Sequence, residues 1–392
     1  MTDSPTGPLS GLRVLDIATM LAGPYGATLL GDLGADVIKL EGPSGEPSRN
    51  MGPTKGDTSG VFHGVNRNKR SVVADTRNER GQEILAGLLG WADILVLNQL
   101  PSVRKSMGVD ASTLKREHPS LISVSASTYG DSGPLGSRPG IDPVAQAFSG
   151  FMAVTGVPGG EPLKAGPPVA DSVGSLLVAV GALAALWART SSGEGQHVEV
   201  ALIDGLIHIQ APYIGQYFLL GTQQSRHGNS IDWYAPYGSY ECADGRSLQL
   251  ACHNDKFFSR LAAAIGQPGL ANQPSFSTNE ARLANRSELD EIIASFCATA
   301  DRPSILDALW SHDVIAGPVN TYEEVFADPQ VHHNEMIVTF DRPEGQVRTS
   351  GVPIHFSATP GSVRLPPPAC GEHTNEVLSE LGLLAEDNGA SS

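Results

Sequence analysis

Hydrophobic positions in the first third of the chain fall into two alternating patterns. LRVLDIA, DVIKLE, SVVADT, DILVLN and LISVSAS are short apolar runs and read as buried strands. Between them, AGPYGATLLGDLGA, ERGQEILAGLLGWA and a stretch near Ala111 to Glu117 repeat apolar residues at helical spacing, with Pro24 near the first turn of the first. Two parallel strands can be joined only by a crossover, so this alternation predicts a parallel sheet in an α/β architecture. Ligands in such sheets sit at the carboxyl ends of the strands.

Past Tyr129 the pattern changes. The chain to Asp171 is rich in Gly and Pro, with one helical stretch, PVAQAFSGFMAVTG, and long loops of this kind commonly line sites. The run GPPVADSVGSLLVAVGALAALWART then has one charge near its start, Asp171, and stays apolar until Arg189. It predicts a buried helix. Asp is a favoured N-cap, and Pro167 and Pro168 would keep the helix from starting earlier. A carboxylate ringed by apolar residues at a helix start is equally placed to act as a nucleophile, and at this point both readings stand.

HVEVALIDGLIHIQAPYIGQYFLL reads as a strand leading into a long apolar helix. An aromatic, turn-rich segment follows, then the strand SLQLACH and a mostly helical stretch to about residue 315. The expected division is a large domain over 1–205, a linker helix over 206–228, a smaller α+β domain over 229–322 and a C-terminal segment over 323–392. That segment reads as strand-like through VRTSGVPIHFSATP, then a short helix in TNEVLSELGL and a disordered NGASS. Trp233, Tyr234 and Tyr237 are candidates for a pocket wall, although aromatics here serve equally well as core.

Composition narrows the function classes. A chain of 392 residues exceeds one ordinary core, in keeping with two domains. Apolar and charged shares of 40% and 17% fit a globular protein in water. A net charge of −16 argues against nucleic acid, yet leaves room for an anionic small ligand on a local basic patch. The longest apolar run, Leu176 to Ala188, is too short to span a bilayer, so no membrane partner is expected. MTDSPTGPLSGL has no signal-peptide pattern, and Cys242, Cys252, Cys297 and Cys370 are scattered. Both point to the reducing cytoplasm and give no metal framework. His332 and His333 are adjacent rather than helically spaced, and neither H-E-x-x-H nor G-x-S-x-G occurs, so no metal site and no α/β-type serine hydrolase is expected.

Two local features invite chemistry. Strand, glycine-bearing turn, helix and the strand-end acid Glu41 outline a dinucleotide site, but AGPYG supplies Gly23 and Gly26 without G-x-G-x-x-G, and Pro24 removes an N–H. NRNKRSVVADTRNER gathers Arg67, Lys69, Arg70, Arg77 and Arg80; it is either a solvated face or a phosphate-binding patch that Arg104, Lys105 and Arg138 would join.

Several segments, taken in order, resemble the class III CoA-transferases of the CaiB–BaiF type, a family that also holds the 2-methylacyl-CoA racemases. They are LRVLDIATMLAGPYGATLLGDLGADVIKLEGP, NRNKRSVVAD, ADILVLNQLP, GIDPVAQAFSG, ADSVGS, GQHVEVALIDG, APYGSYECADG, AGPVNTYEEVFADPQV and GEHTNEVLSELGL. The resemblance implies a large Rossmann-like domain, built from the N-terminal half plus the C-terminal tail, with a smaller domain between and two chains interlocked as a homodimer. It makes Asp171 the nucleophile, coenzyme A in its acyl-CoA form and a carboxylic acid the substrates, and no cofactor permanently bound. Ala22, Arg77, Asn98 and Arg138 match family CoA contacts, and Arg104 stands in for an Arg usual at Ser106. Leu21, Gly42 and Leu97-Asn98-Gln99 also depart from the pattern, as does the lack of a long Gly-rich loop near Asn229, which implies a substrate other than formate or oxalate. The family's racemases use the His of G-H-D, whereas Gly140-Ile141-Asp142 offers Ile141, which carries no proton. Transferase is therefore the expectation, with Asp142 a local cap. A racemase or epimerase is the first alternative, a non-catalytic CoA-binding homologue the second and an NAD oxidoreductase the last.

Overall fold

The computed structural model describes residues 7–56, 58–342 and 345–384. The expected disordered NGASS lies outside them. By internal contacts the chain divides into two compact units, one comprising 1–151, 164–220 and 329–392, the other 152–163 and 221–328.

The first unit is built on strand–helix alternation. Its elements are β1 (Arg13–Asp16), α1 (Ala22–Asp32), β2 (Asp36–Glu41), β3 (Lys69–Val73), α2 (Glu79–Trp91), β4 (Ile94–Leu97), α3 (Ala111–Glu117) and β5 (Ile122–Ser127). They continue with α4 (Asp142–Phe148), α5 (Val169–Ser192), β6 (His197–Ala201), α6 (Leu202–Ile209) and α7 (Ala211–Leu220). The six strands form one parallel sheet in the order β3-β2-β1-β4-β5-β6. The chain winds outward from β1 through β2 to β3, then returns to β4 on the other side of β1, so the strand order reverses between β1 and β4. This is the doubly wound order, whose switch point opens a crevice at the carboxyl ends.

Strand residues alternate between two buried faces. Val14, Val37, Val96 and Val124 pack on one side with Leu30 of α1 and with Val178, Ala182 and Ala185 of α5. Leu15, Ile38, Val72 and Leu95 pack on the other with Ile84, Leu85 and Leu88 of α2. Burial on both sides explains the near-continuous apolar runs.

Helix α5 is longer than its apolar run. Its 24 residues have a mean hydropathy of 2.0 in the most apolar window, long and apolar enough by length and composition to cross a membrane. The expectation that length alone excludes a span is therefore corrected. One stripe of the helix packs in the core, where Ala170, Gly174, Val178, Ala179, Ala182 and Ala185 are buried with α1, β5 and β6 against them, while Leu176, Val180 and Trp187 are exposed, so the expected buried helix is buried on one side only. The long helix expected after β6 is also two helices, broken at Gln210, because Pro212 has no N–H to continue the ladder.

The second unit has its own core. β7 (Tyr237–Glu241), β8 (Ser247–Ala251) and β9 (Ala316–Pro318) make an antiparallel sheet in the order β9-β8-β7. Helices α8 (Asp255–Ala264), α9 (Arg286–Cys297) and α10 (Arg302–Trp310) close over Leu248, Leu250, Phe258, Leu261 and Leu289. The expected small domain, 229–322, lies inside this unit. Segment 152–163 belongs here because Arg226 donates to the carbonyls of Ala153 and Gly160 at 3.2 and 2.6 Å.

In the tail, the hairpin of β10 (Ile337–Arg342) and β11 (Gly345–Ser350) belongs to the first unit, as does α11 (Thr374–Glu380). The strand expected through VRTSGVPIHFSATP ends at Ser350, ahead of Pro353. Helix α11 buries Val377 and Leu378 against the α2 face of the sheet.

Candidate active site

Asp171 is the third residue of α5, not its N-cap. The helix begins at Val169, three residues earlier than a cap at Asp171 requires, and Pro168 occupies the capping position without a side-chain bond. The cap comes from another helix. Asp142 Oδ2 accepts from the N–H of Ala170 at 2.7 Å and of Asp171 at 3.2 Å. The reading of Asp142 as a local cap is corrected accordingly: α4 has Ile141 at its own N-cap, with no side-chain bond, and the Asp142 carboxylate serves α5. Ile141 is 59% exposed.

The Asp171 carboxyl is largely withdrawn from water. Burial pushes it up to about 7, and the negative charge of Asp142 pushes the same way. Its helix leans on α1 through two glycines. A Cβ on Gly174 would lie 2.4 Å from Leu202 Cδ2 and 3.5 Å from Ala22 Cβ, and one on Gly26 would lie 2.5 Å from Val178 Cγ1. Gly26 is therefore a helix-packing glycine. Ala22, at the start of α1 and buried, stands one turn from Asp171 by way of Gly174.

At the switch point the loop after β1 is held by side chains along its length. Asn98, just past β4, accepts from the N–H of Thr19 at 2.9 Å and donates to the carbonyl of Thr19 at 2.7 Å. Gln99 donates to the carbonyl of Ile17 at 2.6 Å. Glu46 accepts from the N–H of Met20 at 2.7 Å, where φ is +70°. Beneath lies a buried ionic cluster that sequence reasoning missed. Lys69 donates to Asp16 at 2.8 Å, to Asn66 at 2.7 Å and to the carbonyl of Pro24 at 2.7 Å. Lys39 reaches Asp16 at 3.4 Å and the carbonyl of Ala18 at 2.9 Å. Burial depresses Lys69 to about 8, while Asp16 opposes that shift. Asp16 itself stays below the ordinary carboxylate range: burial pushes it up, and Lys39 and Lys69 outweigh it. The available signal was charge inside apolar strands, at Asp16, Lys39 and Lys69.

Above this loop a cavity of about 320 Å³ opens at the carboxyl ends of β1, β2, β3 and β4, lined among others by Thr19, Gly42, Glu46, Thr76, Arg77 and Gln99. Arg77 stands at its rim, 83% exposed and paired with Asp75 at 2.7 Å. Glu41, the strand-end acid, is taken up by Arg49, Ser71 and the N–H of Glu46, and so is not free for a ribose hydroxyl.

The remaining predicted basic residues do not gather there. Arg104 turns inward, with both terminal nitrogens on Asp131 and Nε on the carbonyl of Gln99 at 2.7 Å. Ser106 is exposed. Arg138 is exposed in the loop before α4. The contiguous patch is not formed either: Arg67 is buried on Asp32, Lys69 lies in the ionic cluster, Arg70 pairs with Asp36 and Glu380, and Arg80 pairs with Glu83. Of the predicted residues, Arg77 lines the switch-point cavity, Asn98 holds the Thr19 loop that lines it, and Ala22 lies against Gly174, three residues along α5 from Asp171.

A doubly wound sheet with its crevice at the switch point is the architecture of α/β enzymes that take nucleotide-bearing ligands. Residues 9–374 match the model of CoA-transferase family III, and the chain belongs to that family. It is 37% identical to a succinate–glutarate CoA-transferase of Agrobacterium fabrum, over 97% of this chain and 98% of that protein. It is 35% identical to the β subunit of a succinyl-CoA–L-malate CoA-transferase of Chloroflexus aurantiacus, covering 97% and 96%. A CaiB/BaiF family protein from Brucella suis superposes with a TM-score of 0.88 at 36% identity, covering 96% of this chain and 100% of that one. The protein is a CoA-transferase, and coenzyme A is one of its substrates.

Proposed function

We propose that Asp171 is the nucleophile that carries coenzyme A between two carboxylic acids as an aspartyl-CoA thioester. The supporting observation is the Asp171 carboxyl itself, desolvated at a helix start and pushed up to about 7. A carboxylate stripped of water and aimed at a bound thioester gains reactivity that it lacks in solution.

The steps balance without a net proton transfer. An Asp171 oxygen attacks the thioester carbon of the donor acyl-CoA and expels the CoA thiolate, leaving a mixed anhydride. The thiolate attacks the aspartyl carbonyl, which releases the donor carboxylate and forms the aspartyl-CoA thioester. The acceptor carboxylate attacks that thioester and regenerates an anhydride and a thiolate. The thiolate then takes the acyl group, and Asp171 is restored as a carboxylate. The uncapped first turn of α1, beginning at Ala22, supplies N–H groups of the kind that stabilise a tetrahedral oxyanion.

Succinyl-CoA and a second dicarboxylic acid are the proposed substrates, because the relatives named above act on succinate, glutarate or malate. Arg77 and the loop held by Asn98 would meet the nucleotide end at the switch-point cavity. The same reading makes the enzyme a cytoplasmic homodimer that works with no resident cofactor or metal. Trp187, Phe218 and Leu219 are 78%, 80% and 82% exposed, apolar surface of the kind a second copy covers.

Intact-protein mass spectrometry tests the mechanism. Wild type mixed with succinyl-CoA or glutaryl-CoA is expected to carry a hydroxylamine-sensitive CoA adduct on Asp171, and Asp171→Ala none. An adduct on another residue, or turnover by Asp171→Ala at the wild-type rate, would sink the proposal.

A further inference from the structure

We propose that Asp142 is a positioning residue for the nucleophile: one carboxylate oxygen anchors the first turn of α5, and its negative charge stands against that of Asp171. The inference rests on the reading of Asp171 as the attacking group.

The geometry carries it. Pro168 cannot cap α5, so the first N–H groups of the helix need an acceptor from elsewhere. Asp142 Oδ2 takes two of them, from Ala170 and Asp171. Asp142 Oδ1 accepts from Gln146 Nε2 at 2.5 Å, and Gln146 Oε1 accepts from the N–H of Ala165 at 2.8 Å. Asp142 and Gln146 lie four residues apart on α4, both buried, so they grip the chain on both sides of Pro167 and Pro168. The turn that presents Asp171 is thereby held to a rigid helix.

The same contact sets the electrostatics. N–H groups in a first turn ordinarily favour a carboxylate there. Here two of them already serve Asp142, whose charge also repels an ionised Asp171. An Asp171 converted to a thioester is neutral and escapes that repulsion. An interaction unfavourable to the free carboxylate but not to the covalent intermediate shifts the balance toward capture of CoA.

The other elements packed on α5 bring little competing charge. The first turn of α1 has no acidic residue, and β5 carries no charge. On β6, His197 pairs with Asp131 at 3.1 Å and Glu199 accepts from the N–H of Asp131. Asp204 of α6 is exposed. Within α5, Arg189 sits in the last turn.

Asp142→Asn removes the charge and keeps an oxygen for the Ala170 N–H, whereas Gln146→Leu keeps the charge and removes the lateral grip. The readouts are the pH profile of kcat/KM and the adduct trapped at a fixed ratio of succinyl-CoA to succinate. Asp171 loses nucleophilicity when protonated, and removing a like charge lowers its pKa. Asp142→Asn is therefore expected to move the acid limb down by about one pH unit and to cut the trapped adduct several-fold. Gln146→Leu is expected to lower kcat with the acid limb in place. A wild-type adduct together with an unmoved limb in Asp142→Asn, or a limb that moves equally in Gln146→Leu, overturns the role of Asp142. No adduct in the wild type overturns the nucleophile reading itself, and this one with it.

Discussion

Replacing Asp171 by Asn should stabilise the protein above neutral pH and do little below pH 4. In the folded chain burial pushes the Asp171 carboxyl up to about 7, with Asp142 adding to the effect. Unfolded, it returns to roughly 4. Between these values the folded state holds a proton that the unfolded state has released, so stability falls as pH rises through this window. Once the group is ionised in both states the penalty is constant, about 4 kcal/mol for a difference of that size. The side chain is partly reached by solvent, which brings the expected gain on neutralisation to about 3 kcal/mol. Asn has nearly the same shape, so the packing beside Gly174 is retained. Urea unfolding of wild type and Asp171→Asn at pH 4 and pH 8 is the assay. The gap between the proteins should open with pH in favour of the variant, while transferase activity is lost. A gap of equal size at both pH values, or a wild type more stable at pH 8, refutes the argument that Asp171 is held ionised at a cost.

Gly26→Ala puts a methyl 2.5 Å from Val178 Cγ1 and 3.1 Å from the carbonyl of Ser175. Forcing α1 and α5 apart should cost about 1–3 kcal/mol and lower kcat, read by thermal unfolding and steady-state rates. Arg77→Ala, at an exposed rim, should change stability by less than about 0.5 kcal/mol. It should weaken CoA binding and flatten its salt dependence in calorimetric titrations at two ionic strengths.

The architecture was legible because it depends on local periodicity. Apolar runs buried on both faces, separated by helices of 3.6-residue period, can form little except a parallel sheet with crossovers. Charge, the missing glycine fingerprint and the position of Asp171 were equally visible, since each is a property of a short segment. Boundaries were less so. The start of α5 moved to Val169 because its capping group, Asp142, lies 28 residues before the Ala170 N–H that it accepts. The small unit gained 152–163 through the distant Arg226.

The basic segment shows the other limit. Sequence brought Arg67, Lys69, Arg70, Arg77 and Arg80 together, but a strand sends alternate side chains to opposite faces. Their acidic partners, Asp32, Asp16, Asp36, Asp75 and Glu83, come from several elements, and so does the Asp131 that draws Arg104 inward. What the chain determined by itself was the order of strands and helices and the residue types available for chemistry. Which carboxylate caps, which one is left desolvated and which cations remain at a rim were decided by tertiary structure. Ion pairing and desolvation act across space between groups that periodicity cannot bring into register.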